Sequence, residues 1–129
     1  MNILNFAKET EHKVRWDARV GDATFELYIP KWRVPEPCPK KIFVEVYNEI
    51  ERHKSYKPST PLTVEKNPNE LAQPILAVVE WVADLSKTAH YKPIGNLKDK
   101  WEIGEPYIPF SLLPKQSSDP LLIEVRWDS

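Results

Sequence analysis

Apolar and polar residues alternate without a break over residues 11–20. His12, Val14, Trp16, Ala18 and Val20 fall on one side, and Lys13, Arg15, Asp17 and Arg19 on the other. A period of two sends successive side chains to opposite faces of a strand, so this segment reads as a strand with one buried face. The alternation resumes after Gly21-Asp22, with Ala23, Phe25, Leu27 and Ile29 set against Thr24, Glu26 and Tyr28. A two-residue loop with glycine first favours a type II′ turn, and the sequence predicts a β-hairpin over 11–32. Pairing Val20 with Ala23 puts Ala18 opposite Phe25, Trp16 opposite Leu27 and Val14 opposite Ile29. A slip of one residue would mix the two faces, so the register is strongly specified. Its one unfavourable pair is Asp17 opposite Glu26, which Arg15 and Arg19 on the same face are placed to relieve.

The middle of the chain reads as helical. Four prolines between Pro30 and Pro39 mark an extended, solvated connection. Over residues 40–53, Ile42, Phe43, Val46, Tyr47 and Ile50 share one helical stripe, with Glu45, Asn48, Glu49 and Arg52 opposite. Residues 54–66 read as a loop. Asn67-Pro68-Asn69-Glu70 has the form of a capping box, and Leu71, Ile75, Val78, Val79 and Val82 then line one face of a helix expected over 68–87. Pro74 would kink that helix or mark its true start.

Strands are expected near 99–103, 107–113 and 121–128, the last with Leu121, Ile123, Val125 and Trp127 on one face. It carries Val125-Arg126-Trp127-Asp128, the same four residues as Val14-Arg15-Trp16-Asp17, which two amphipathic strands can share by coincidence. The resulting expectation is a single α+β domain over 1–129: a mostly antiparallel sheet of about five strands, in the order ββααβββ, with two helices packed on one face.

Composition narrows the function classes. The chain has 129 residues, 41% hydrophobic and 29% charged, within the range of folded globular domains. A net charge of −1 lacks the basic excess of a non-specific nucleic-acid binder, although it leaves room for a local basic patch. With Cys38 the single cysteine, an internal disulfide and a cysteine-cluster zinc site are ruled out, and a reducing, cytoplasmic setting is expected. The three glycines, Gly21, Gly95 and Gly104, are too scattered for a Walker loop or a dinucleotide fingerprint. The N-terminal residues hold no apolar run of signal-peptide length. The stretch Ile75 to Leu85 is far short of the ~20 residues that span a bilayer.

Candidate chemistry is sparse. Of the five tryptophans, Trp16 and Trp127 lie on apolar strand faces, and Trp81 lies on a helix flank where core packing is the ordinary role. Trp32 differs, standing between Lys31 and Arg33 where strand alternation has ended. A loop tryptophan flanked by cations suits stacking on a ring or a proline, against the blander option of a lid over the sheet edge. Glu45, Glu49 and His53 recur every four residues, a spacing that on a helix presents metal ligands along one side. A solvated helix face is the commoner meaning of that pattern. None of His12, His53 and His90 has the neighbours of a triad, and Cys38, between Pro37 and Pro39, has nothing evident to lower its pKa.

These features favour a non-catalytic binding or interaction module that uses Tyr28, Trp32 and Arg33 and takes a small molecule or a protein segment, with no cofactor. One alternative is a small metal-dependent hydrolase or nuclease built on Glu45, Glu49 and His53. The other is a nucleic-acid-binding accessory protein using the locally basic segment 31–41. A small antiparallel sheet would also leave edges through which two copies can pair.

Overall fold

A computed structural model describes residues 2–48, 71–94, 101–114 and 118–127. The chain forms β1 (Asn2–Glu9), β2 (Lys13–Val20), β3 (Ala23–Pro30), β4 (Lys41–Asn48), β5 (Ile75–Asp84), β6 (Thr88–Pro93), β7 (Tyr107–Pro109) and β8 (Leu121–Trp127). These eight strands close into a barrel in the order β1-β2-β3-β7-β6-β5-β8-β4, with β4 returning to β1 and every pair antiparallel. Short 3-10 turns follow β3, at Lys31–Arg33, and β7, at Phe110–Leu112.

The hairpin forms as its pattern requires. β2 and β3 pair Val20 with Ala23, Ala18 with Phe25, Trp16 with Leu27 and Val14 with Ile29. Gly21 has φ of 62° and no described non-glycine residue has positive φ, which leaves Asp22 at negative φ and makes the turn type II′. Arg15 resolves the Asp17–Glu26 opposition, with Nη2 at 2.8 Å from Asp17 and 3.3 Å from Glu26. Burial lowers the pKa of this guanidinium, but Tyr28, Glu26 and Asp17 outweigh it, and the net shift is upward.

The expected α+β class is overturned, because the protein is a nearly all-β closed barrel. The first expected helix is β4, in which Ile42 and Val44 point inward, with residues 49–53 outside the described part. The second is β5, which starts directly after Pro74 and runs for ten residues. The capping-box residues 67–70 lie outside the described part. Both strands carry apolar residues on their outer as well as their inner faces, such as Phe43 and Tyr47 in β4 and Leu76 and Val78 in β5. That double-sided hydrophobicity hides a period of two and admits a helical stripe. Their β-branched and aromatic content suits a pleated surface better than a helix. Residues 101–103 are not strand, and β7 spans only Tyr107–Pro109. β1 and β6 are strands that the sequence pattern did not reveal.

The core is the barrel interior. Leu4, Trp16, Phe25, Leu27, Ile42, Val44, Ile75, Tyr91, Ile108, Ile123 and Val125 are buried there. An eight-stranded barrel has an interior about wide enough for side chains to fill. Burial pushes the Tyr91 phenol up to about 12, with Asp84 and Asp119 adding to the shift, so it stays neutral in the core. The two matching tetrapeptides meet in space, with the rings of Trp16 and Trp127 6.1 Å apart. Closure leaves no free edge strand among the described strands, which removes the expected basis for pairing of copies edge to edge. No described helix is long and apolar enough to cross a membrane.

Phe25→Ala is expected to lower the unfolding free energy by about 3–5 kcal/mol in urea titration. Arg19→Ala, on the exposed outer side of the same hairpin, should change it by no more than about 0.5 kcal/mol.

Candidate functional site

At the end of the barrel where β2 begins and β3 ends, five parts of the chain converge around a cleft of 640 Å³. Glu11 and His12 come from the β1–β2 turn, Lys13 from β2, Pro30 from β3, Lys31 and Trp32 from the 3-10 turn, and Trp101, Ile103 and Gly104 from the segment before β7. Local geometry explains the meeting. The Lys31 N–H donates to the His12 carbonyl, extending the hairpin by one step. The Gly104 N–H donates to the Tyr28 carbonyl at 2.6 Å, which lays the segment before β7 along the end of β3. Glycine eases this approach, because a Cβ there would lie 3.0 Å from Tyr28 Cβ and 3.2 Å from its carbonyl oxygen, closer than ordinary van der Waals contact.

Adjacent residues of the 3-10 turn have opposite fates. Trp32 remains 37% exposed and lines the cleft, whereas Arg33 is 1% exposed. The Arg33 guanidinium donates through Nε to Glu102 at 3.1 Å, through Nη1 to the Leu71 carbonyl at 2.8 Å and through Nη2 to the Gln73 carbonyl at 2.7 Å. It also lies 5.9 Å from the ring centre of Trp127, whose Nε1–H donates to the same Gln73 carbonyl. Burial lowers the Arg33 pKa and Glu102 opposes the shift. With its donors committed to protein acceptors, Arg33 acts as an internal clasp. It joins the 3-10 turn to the segment carrying Trp101 and to the start of β5.

Of the residues expected to form a ligand site, the structure brings Trp32 alone into the cleft. Tyr28 points to the outer barrel face beside Arg15, 6.0 Å from its ring centre, and only its backbone supports the cleft wall. Trp101 is the residue that sequence reasoning missed. No local pattern marks it, because its place depends on the contact between Arg33 and Glu102, which are far apart in the chain. Lys13 was read only as the polar side of a strand.

The metal-site residues do not come together within the described part. Glu45 sits on β4 opposite Glu124, while Glu49 and His53 lie outside the described residues. Among the described residues no group of three or more histidine, cysteine, aspartate or glutamate side chains is placed to hold a metal. On the outer barrel face, His90 stacks on Tyr107 at 4.5 Å, and its Nε2 is 3.2 Å from Glu105 without hydrogen-bond alignment. Burial, followed by Glu9 and Glu36, raises the Cys38 thiol, which disfavours a thiolate nucleophile.

No protein-family pattern, curated protein or solved structure matches this chain. The site therefore rests on its own geometry.

Arg33→Met should cost about 3–5 kcal/mol in denaturant unfolding, because it leaves the Glu102 carboxylate, 9% exposed, without its buried cation. A loss below about 1 kcal/mol would mean that the guanidinium is readily replaced by water.

Proposed function

We propose that the protein is a non-catalytic binding module whose ligand site is the cleft between Trp32 and Trp101. The observation that carries this reading is the convergence of two indoles from distant parts of the chain on one concavity. Its volume lies in the range typical of small-molecule sites, and Pro30, Ile103 and the bare backbone of Gly104 supply an apolar wall. Aromatic walls give large contact area at low conformational cost, which suits a flat small molecule or a short protein segment.

The groups at the cleft favour binding over catalysis. Among its described residues the imidazole, His12, and the carboxylate, Glu11, lie 3.7 Å apart at a highly exposed rim. Proton transfer is best supported by groups held in a site that excludes water. The metal-dependent alternative loses its helical premise at Glu45, which is on a strand. The nucleic-acid alternative is weakened because Arg33 is buried on Glu102, which leaves Lys31, Lys40 and Lys41 as the exposed cations of that segment.

A fragment library screened by NMR should give hits that shift the indole N–H signals of Trp32 and Trp101. Trp32→Ala should abolish those hits while lowering stability by less than about 2 kcal/mol, since a buried tryptophan would cost about 3–5 kcal/mol. Hits confined to other surfaces, or a stability loss in the buried range, would contradict the proposal.

A further inference from the structure

We infer that the Trp32–Trp101 cleft takes a planar ring bearing an anionic group, a phosphate or a carboxylate, an inference that rests on this cleft being the binding site. The ring follows from the walls. Trp32 and Trp101 offer aromatic surface, and Gly104 keeps one wall free of a side chain. A flat ring stacks favourably on an aromatic side chain whatever its substituents.

The charge follows from the rim. Indole faces alone would welcome a cation. Here, however, Lys13 and Lys31 both line the cleft, brought to the same end of the hairpin by the pairing of Lys13 with Pro30, the residue before Lys31. Lys31 holds Glu9 in a solvent-exposed pair, of a kind that is weak and readily exchanged. Lys13 has no carboxylate partner among the described residues. The nearest acid of the lining, Glu11, lies beside His12. A cationic ligand would meet two ammonium groups, whereas an anionic one completes Lys13 and competes with Glu9 for Lys31. The Trp101 Nε1–H itself is buried, with no acceptor among the described residues, so Trp101 meets the cleft with the rest of its indole.

The test is a set of NMR titrations of the full chain that follow the Trp32 and Trp101 indole signals, with matched probes: adenosine monophosphate against adenosine, and indole carboxylate against tryptamine. The anionic member of each pair should bind about tenfold tighter, the size of one charge-assisted hydrogen bond. Added salt and Lys13→Ala should each erase that preference. The two anionic probes separate phosphate from carboxylate as the favoured group. Equal or tighter binding of adenosine or tryptamine would overturn the anion assignment and leave the cleft as a ring-binding site. Equal binding of inorganic phosphate and adenosine monophosphate would overturn the role of the ring. No shift at either indole with any of these probes overturns the inference, and the fragment screen then decides separately whether the cleft binds anything.

Discussion

A guanidinium withdrawn from water must find acceptors for its donors, and Arg33 finds them in three places that strand pairing does not join. It bonds the Leu71 and Gln73 carbonyls ahead of β5 and the Glu102 carboxylate ahead of β7, while its own backbone ends the hairpin. Desolvating such a pair costs several kcal/mol, and the contact is favourable only because the remaining donors are also satisfied. Trp32 and Trp101 are the chain neighbours of Arg33 and Glu102. The two walls of the cleft are therefore tied together by an ion pair that lies outside the cleft lining.

Closure of the barrel explains why the candidate site is at one end. The interior is occupied by Trp16, Phe25, Tyr91 and branched aliphatic side chains. A barrel of this size filled in this way serves as a scaffold, and recognition falls to the segments that cross its mouth. The Trp16 and Trp127 rings meet at a tilt of 60°, and Arg33 lies over Trp127, which links the core to the clasp.

The β2–β3 hairpin was legible to the level of residue pairs. Its inner face is apolar, its outer face is polar and its turn carries the glycine that positive φ requires, so three independent signals agree. β4 and β5 were illegible because apolar residues such as Phe43, Tyr47, Leu76 and Val78 occupy outward positions, and the same letters fit a helical stripe. In β1 the signal fails differently, since Leu4 is its one buried residue while Ile3 and Phe6 are exposed. At the site, Trp32 could be singled out because it breaks the alternation between two cations. The burial of its neighbour Arg33 could not, because every partner of that guanidinium lies far away in the chain. The expectation of Arg33 as a ligand-binding residue follows from its charge and its place beside Trp32, whereas its burial follows from tertiary contacts alone.

The central claim is that the buried contact between Arg33 and Glu102 organises this end of the molecule. A double-mutant cycle with Arg33→Met and Glu102→Leu, read by equilibrium unfolding, measures it directly. The account predicts that the double variant is less destabilised than the sum of the singles by about 1–3 kcal/mol, since each single leaves a buried charge without its opposite charge and the double removes both charges. Strictly additive losses would contradict it.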